Sequence, residues 1–149
     1  VDPNTTQPLH RNNHGSCVFS GKRLVVFGGD AGGEYLNDFV IADLGAGEKM
    51  AWKEPVVKGD PLIPRRSCSM GAMGNTIFIF SGIAKDEDEI DYMLDELLVY
   101  NFDAVNTTLT PATVSTTGAT PTPRQNAMFT MLKPNQLLLY GGTDVSNKP

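Results

Sequence analysis

The sequence predicts an all-β fold in which one unit of short antiparallel strands is repeated along the chain. Three observations predict it. Runs of four aliphatic or aromatic residues occur at residues 24–27, 77–80 and 137–140. A pair of small residues follows each run directly: Gly28-Gly29, Ser81-Gly82 and Gly141-Gly142. An arginine precedes each pair by 16 or 17 residues: Arg11, Arg65 and Arg124. The runs start 53 and then 60 residues apart, and self-similarity at such a period is typical of repeat architectures.

Each run is predicted to form a buried strand. The runs are too short for helices and are bounded by turn residues. They are continuous rather than alternating in polarity, which favours strands that are covered on both faces. A second apolar segment lies just before each run, at residues 16–19, 69–73 and 127–132. Because short turn-forming sequences separate the two segments, each pair is predicted to form a β-hairpin.

Two further strands are predicted in each of the first two units. The third strands are residues 35–43 and 93–101. The fourth strands lie within residues 50–57, which contain Trp52, and within residues 107–114. The third unit shows only its first two strands. The units therefore contain four, four and two predicted strands.

The residues around these strands resemble the kelch repeat. The first unit matches that pattern nearly throughout, at Arg11, His14, Gly28, Gly29, Tyr35, Asn37, Asp38, Asp43 and Trp52. The second unit departs from it, with Ser81 in place of the first glycine, Asp95-Glu96 in place of Asn-Asp, and no tryptophan. The third unit matches at Pro123, Arg124, Gly141 and Gly142. The similarity covers about residues 8–145, which is nearly the whole chain.

The kelch resemblance implies four-stranded antiparallel blades of a β-propeller, a ring that normally has about 4–8 blades. Blade 1 is expected over about residues 10–58, blade 2 over about 63–115, and an incomplete blade 3 over about 123–145. A threonine-rich linker over about residues 107–123 joins the last two. This makes a partial propeller, and we expect a longer chain or other subunits to supply the remainder. The resemblance implies structural roles for the repeat positions Gly28, Gly29, Tyr35, Asp43, Trp52, Gly82, Gly141 and Gly142.

Composition excludes several functions. The 149 residues carry a net charge of −5, which argues against nucleic-acid binding because that needs a basic surface. No apolar run approaches the ~18 residues that span a bilayer. His10 and His14 have no third partner in the sequence, so no metal is expected. Cys17 and Cys68 are too few for a disulfide framework and favour buried, reduced thiols in the cytoplasm. The sequons at Asn4 and Asn106 leave a secreted location open.

An acidic loop is the first candidate binding site. Residues 85–96 contain seven acidic residues and one lysine. The candidate contacts within them are Asp86, Glu87, Asp88, Glu89 and Asp91. The kelch resemblance places this loop on the face that commonly binds ligands, where it would attract a basic peptide or protein. The alternative is a solvated insertion whose charge only aids solubility.

A set of arginines is the second candidate. The resemblance places the repeat arginines near the same face, and Arg66 lies next to one of them but outside the repeat position. We expect partner contacts from Arg65, Arg66 and Arg124, which would bind acidic or phosphorylated motifs through paired hydrogen bonds. The alternative is a structural role in binding carbonyl oxygens or a nearby aspartate. In the linker, Thr120 and Thr122 each precede a proline and are candidate sites for proline-directed kinases.

The function implied by the resemblance is a protein-interaction module that recognises a protein or peptide partner through loops on one face, without a cofactor. The alternative is a fragment of a propeller enzyme, of oxidase or sialidase type, whose active site lies outside this chain or across the missing blades. The sequence has no Gly-x-Ser-x-Gly motif, and Gly28-Gly29 opens no helix that could bind phosphate. We therefore expect no enzymatic activity in this chain.

Overall fold

The computed structural model describes residues 7–45 and 50–144. In these ranges it has thirteen strands and no helix. The strands are β1 (Gly15–Phe19), β2 (Arg23–Asp30), β3 (Tyr35–Asp43), β4 (Trp52–Lys53), β5 (Val56–Val57), β6 (Ser69–Met73), β7 (Thr76–Phe80), β8 (Ile83–Lys85), β9 (Asp91–Met93), β10 (Leu97–Asp103), β11 (Thr108–Pro111), β12 (Met128–Lys133) and β13 (Gln136–Tyr140). The prediction of an all-β fold is confirmed. The part of the chain that the structure describes contains no helix that could span a membrane.

The first sheet is a four-stranded antiparallel blade with the strand order β1-β2-β3-β4. Its third strand has the predicted bounds. Its fourth strand, β4, lies within the predicted range and ends at Lys53, and the next strand, β5, joins the second sheet instead. Pro55 lies between them and has no N–H group to continue a ladder of hydrogen bonds. β4, which contains Trp52, is therefore the fourth strand expected within residues 50–57, and β5 is an additional strand that the sequence did not predict.

The second sheet has five strands in the order β5-β11-β10-β7-β6, rather than the four that were expected. The extra strand β5 lies parallel to β11 at the edge, and the remaining pairs are antiparallel. The third strand of this unit was predicted over residues 93–101, but β10 begins at Leu97. Met93 belongs instead to β9, which pairs with β8 in a separate hairpin. The acidic loop forms the turn of this hairpin.

The main core lies between the first two sheets. One face of the first sheet contributes Val25 and Phe27, which are completely buried, and the second sheet contributes the equally buried Ile77 and Ile79. Aromatic rings join the two sheets, with the centroids of Phe19 and Phe102 5.0 Å apart. Burying an aliphatic or aromatic side chain of this size contributes about 1.5–3 kcal/mol. This core fixes the two blades against each other and so positions their loops.

The third sheet contains only β12 and β13 and packs against the second sheet. The rings of Phe78 and Phe129 meet at this boundary, 6.4 Å apart. The prediction that all three apolar runs are covered on both faces was wrong here, because Tyr140 is 69% exposed and residues 137–139 are half-buried. In the described ranges no sheet covers the far side of this hairpin, which leaves that face open.

A repeated backbone contact arranges the three sheets in sequence. The N–H of Ser67 donates to the carbonyl of Asn13 at 2.7 Å, and the N–H of Asn126 donates to the carbonyl of Ser67 at 3.1 Å. These three residues occupy the same place in their units and share a positive φ of 52–57°. Each unit is thus bonded to the previous one in the same way, as blades succeed one another around a propeller axis.

Candidate partner-binding face

Two loops from neighbouring blades come together at one end of the sheets. The connection between β2 and β3 lies beside the β8–β9 hairpin, and the ammonium group of Lys85 donates to the carbonyl of Gly33 at 3.2 Å. A groove of about 480 Å³ runs between them. Its lining residues are Gly33, Glu34, Tyr35, Pro64, Lys85, Asp86 and Glu89. We call this groove and the adjoining hairpin turn the loop face.

Three side chains bond one another at the base of the loop face. The hydroxyl of Tyr35 donates to Oδ1 of Asp91 at 2.8 Å. Arg66 donates from Nε to the Tyr35 hydroxyl at 2.6 Å and from Nη2 to Oδ2 of Asp91 at 2.8 Å. Tyr35 belongs to blade 1, whereas the other two residues belong to the second unit. The triangle therefore ties the two loops together across the blade boundary.

The hydrogen bonds of this triangle favour the charged forms of Arg66 and Asp91. The hydrogen bond to Tyr35 is the main cause that raises the pKa of Arg66, and Asp91 adds to it. Partial burial opposes the charged form of Asp91, but the hydrogen bonds from Tyr35 and Arg66 together outweigh it. The pKa of Asp91 is therefore lowered. A cation and an anion are held here at neutral pH.

The acidic residues of the hairpin have three different roles. Oδ1 of Asp86 accepts hydrogen bonds from the backbone N–H groups of Asp88 and Ile90, so this carboxylate shapes the turn. Glu89 pairs with Lys85 at 2.7 Å. Within the described ranges, the side chains of Glu87 and Asp88 are exposed and bond to no other group. These two carboxylates are the ones that project into solvent at the tip.

Arg65 does not lie on a surface. Its side chain is completely buried, where it pairs with Glu96 and donates to the carbonyls of Ile63 and Ser81. The prediction that Arg65 contacts a partner was therefore wrong, because no solvent reaches the guanidinium. Arg11 is held in the same way by both carboxylate oxygens of Asp38 and by the carbonyl of Gly28.

Arg124 occupies the same position in the third unit and is half-buried. Its Nη1 donates to the carbonyl of Gly141 at 2.8 Å, and its Nη2 donates to Oγ1 of Thr122 at 2.8 Å. Arg124 therefore bonds groups of its own unit, as Arg11 and Arg65 do. Its role as a partner contact stays a prediction, as does that of Arg66, whose side chain is 23% exposed.

The glycine pairs permit a close approach between units. Gly28 has φ of +61°, and a Cβ added there would lie 2.5 Å from the carbonyl oxygen of Arg65. That oxygen accepts a hydrogen bond from the N–H of Gly29 at 2.8 Å. In the second unit Ser81 adopts φ of +58°, and its buried hydroxyl donates to the carbonyl of Leu94 and accepts from the N–H of Arg124. The serine hydroxyl bridges a gap that the first unit closes by direct backbone contact.

The remaining repeat positions have local roles. Gly82, Gly141 and Gly142 all have positive φ. Asp43 accepts a hydrogen bond from the N–H of Gly45 and so shapes the turn after β3. Trp52 is half-buried on the side of the first sheet that faces away from the second sheet. There it lines an open cavity of about 360 Å³ together with Leu24, Val26 and residues 8–11. Trp52 therefore lies outside the core between the two blades.

Both cysteines are free thiols. Burial is the main cause that raises the pKa of Cys17 to about 12, and its neighbour Cys68 adds to it. Burial likewise raises the pKa of Cys68 to about 11, against the opposing effect of Arg65. Burial lowers the pKa of His14, and the charge of Arg11 lowers it further. Among the described residues, no group of three or more His, Cys, Asp or Glu side chains is arranged to hold a metal ion.

The part of the loop face that lies between the blades was not predicted from the sequence. Tyr35 was expected only as a structural repeat position, and Lys85 was not singled out. The residue after each repeat arginine forms a β-bridge in the same place of its unit, Asn12 with Asp30 and Arg66 with Ile83. Aligning the units on their arginines could therefore have shown where Arg66 lies. The residue after the arginine therefore points to the same place in each blade, and only the second unit has a cation there.

The antiparallel sheets, with their repeat arginines and glycine pairs, define the fold as β-propeller blades of kelch type. The model of the KLHDC2/KLHL20/DRC7 Kelch-repeats domain matches residues 1–148. The chain belongs to the kelch-repeat family. The solved structure of YjhT, a kelch-type β-propeller, shares this fold with a TM-score of 0.69 and 13% sequence identity, covering 94% of this chain and 41% of that one.

Several curated proteins are similar to this chain. The alpha chain of the flagellar outer arm dynein of Chlamydomonas reinhardtii is 29% identical over 145 residues, which cover 95% of this chain and 3% of that protein. Host cell factor 1 of Homo sapiens is 30% identical over 139 residues, or 84% of this chain and 7% of that protein. The Rab9 effector protein with kelch motifs of Gallus gallus is 39% identical over 82 residues, which cover 53% of this chain and 21% of that protein. The chain thus spans only a small part of these relatives. Kelch-repeat domains generally act as protein-interaction modules, mostly without catalysis of their own.

Proposed function

We propose that this chain is the part of a kelch propeller that binds a protein or peptide partner through the loop face. The observation that carries the proposal is the placement of Glu87 and Asp88. Both are exposed at the tip of a hairpin whose base is fixed by Asp86, by the Lys85–Glu89 ion pair and by the Tyr35–Arg66–Asp91 triangle. A rigid support thus presents two carboxylates to solvent.

The partner of this face is a basic segment. Its lysines or arginines are attracted to the hairpin tip from a distance, because complementary charge steers association. Tyr35 and Pro64 line the groove beside the tip, where the aliphatic stem of a lysine or arginine side chain can pack. The charge at the tip and these two side chains together suit a short extended peptide.

We also propose that a longer chain or other subunits supply the rest of the propeller. Two observations support it. Val18 is 56% exposed on the open side of the first sheet, and Leu132 and Tyr140 are 60% and 69% exposed in the third unit. Neighbouring exposed apolar residues on a sheet face are typical of a surface that packs against another element. Nothing in the described residues favours the alternative of a propeller enzyme.

A binding experiment tests the proposed face. A random peptide library is selected against the chain, and the Kd of a recovered lysine- and arginine-rich peptide is measured by fluorescence polarisation. The double variant Glu87→Gln, Asp88→Asn is expected to weaken this peptide by roughly three- to tenfold, as expected for two exposed charges. The weakening should shrink at high salt.

A matched variant removes the same charge elsewhere. Glu54 and Asp60 are exposed acidic residues in the connection between the first two blades. The variant Glu54→Gln, Asp60→Asn should leave the Kd unchanged. Unchanged binding by the hairpin variant, or equal loss in both variants, would contradict the proposal that the hairpin tip is the contact.

A further inference from the structure

The threonine-rich linker presents one of its threonines in a defined position. Residues 112–124 form no strand, and residues 113–122 are all exposed. Within them Thr122 lies between Pro121 and Pro123. A residue before proline is restricted to extended conformations, so Thr122 is held in an extended and accessible stretch.

The hydroxyl of Thr122 accepts a hydrogen bond from the arginine nitrogen that binds a carboxylate in the other two units. Nη2 of Arg124 donates to Oγ1 of Thr122 at 2.8 Å. The same nitrogen donates to a carboxylate in the other repeat arginines, in the pairs Arg11–Asp38 and Arg65–Glu96. The arginine also donates from Nε to the carbonyl of Thr122 at 3.1 Å. An anion at Oγ1 of Thr122 would therefore lie next to a guanidinium nitrogen of the kind that binds a carboxylate in the other two units.

We propose that Thr122 is a phosphorylation site for a proline-directed kinase and that Arg124 binds the phosphate. In this step Oγ1 of Thr122 attacks the γ-phosphorus of ATP. The new O–P bond forms as the bond to the β–γ bridging oxygen breaks, ADP leaves with that electron pair, and the hydroxyl proton passes to the base of the kinase. The product is a phosphothreonine beside an arginine, which is a strong charge-assisted contact.

Position distinguishes Thr122 from the other threonines that precede a proline. Thr110 is exposed, but it lies in β11, where its backbone is paired with Asn101 of β10 and is not available as an extended kinase substrate. Thr120 is exposed but lines the groove of about 530 Å³ between the second and third sheets. Only Thr122, among the Thr-Pro pairs of the described residues, has an arginine on its hydroxyl.

The phosphate would fasten the linker at the boundary between the last two sheets. Arg124 already binds the end of β13 through the carbonyl of Gly141, and its backbone N–H binds the hydroxyl of Ser81 at the end of the second sheet. A phosphate on Thr122 adds the linker to this junction through ionic hydrogen bonds. Phosphorylation would therefore order the linker and stabilise the packing of the third sheet.

The test begins with the chain, a purified proline-directed kinase and Mg-ATP. The modified residue is mapped by fragmentation mass spectrometry, and the second pKa of the phosphate is measured by ³¹P NMR. We expect modification of Thr122, and we expect the phosphate pKa to lie roughly 0.5 below that of a phosphopeptide of residues 118–126 that carries the Arg124→Gln substitution, because a nearby cation favours the dianion. The Thr122→Val variant should lose this signal.

The role of Arg124 is tested separately from accessibility. In Arg124→Gln the phosphate pKa should return to the value of the peptide, whereas Arg124→Lys should keep part of the shift. If Arg124→Gln fails to fold, the comparison between the native chain and the peptide still decides the question. Absence of phosphate on Thr122, or a phosphate pKa in the folded chain equal to that of the peptide, would overturn the proposal.

Discussion

Tyr35 and Arg66 join the first two blades through both a hydrogen bond and a ring contact. Nε of Arg66 lies 2.6 Å from the Tyr35 hydroxyl, and the guanidinium carbon lies 5.3 Å from the centre of the ring. Lys85 approaches the same ring to 5.1 Å. A single aromatic side chain of blade 1 is thus contacted by two cations of the next unit. This contact holds the β2–β3 connection against the acidic hairpin and keeps the groove between them in shape.

The Tyr35 hydroxyl should contribute measurably to stability. Tyr35→Phe removes one donor and one acceptor and leaves Arg66 and Asp91 with only each other. We expect a loss of about 0.5–1.5 kcal/mol in the free energy of unfolding, measured by urea denaturation. Tyr92→Phe is the matched control, because Tyr92 lies in the same hairpin and is 40% exposed. Equal stabilities for the two variants would show that the triangle adds nothing to the fold.

Two neighbouring arginines should respond very differently to the same substitution. Arg65→Met removes a completely buried guanidinium and leaves Glu96 and two carbonyls without their donor. Glu96 is 37% exposed and stays solvated, so the loss comes mainly from the two carbonyls left without a donor, which should cost about 2 kcal/mol or more. Arg66→Met breaks a partly exposed pair, for which we expect about 1 kcal/mol or less. Similar losses in thermal or urea unfolding would contradict the structural role assigned to Arg65.

Gly28 should tolerate alanine far less well than Gly32 does. Both have positive φ, so both substitutions strain the backbone by about 1–2 kcal/mol. A Cβ at Gly32 meets nothing within 4 Å, whereas at Gly28 it lies 2.5 Å from a backbone oxygen of the next unit. The difference in unfolding free energy between Gly28→Ala and Gly32→Ala therefore reports the close approach alone. A difference near zero would mean that the two units can separate without cost.

The sequence predicted the strands better than it predicted the boundaries between sheets. The third strand of the first unit, Tyr35–Asp43, has the predicted bounds because glycines lie close to both of its ends, Gly32-Gly33 before it and Gly45 after it. The exchange of β5 into the second sheet was missed, since it depends on Pro55 and on a parallel pairing with β11 that is distant in sequence. Local pattern cannot reveal such a pairing.

The candidate site was predicted in part. The acidic hairpin is present, but its carboxylates divide between the turn, ion pairs and solvent, and that division depends on the positions of Lys85 and Arg66 in space. The burial of Arg65 had a signal in the sequence. Asp38 and Glu96 hold equivalent places in the first two units, and each follows its repeat arginine, by 27 and 31 residues. When two units each carry an arginine and an acidic residue at equivalent positions, an ion pair inside each unit is favoured over a contact with another protein.

The two thiols should resist alkylation while the chain is folded. Burial raises the pKa of Cys17 to about 12 and that of Cys68 to about 11, and only the thiolate reacts. At pH 8 the folded chain should react with iodoacetamide at least roughly a hundredfold more slowly than the chain in denaturant, where a thiol has a pKa of about 8.5. Mass spectrometry of timed samples, with Cys17→Ala and Cys68→Ala to assign each rate, checks this.

The same pKa shifts determine how stability depends on pH. The folded state holds the neutral thiols, so it binds more protons than the unfolded state once the pH exceeds about 8.5. The contribution of the two thiols to the free energy of unfolding is therefore fully present below that pH. It is lost as the pH rises towards 11 and 12, the folded pKa values of Cys68 and Cys17. Urea denaturation between pH 7 and pH 10 should show a decline that is smaller in the Cys17→Ala, Cys68→Ala double variant. An equal decline in both proteins would assign the alkaline loss of stability to other groups.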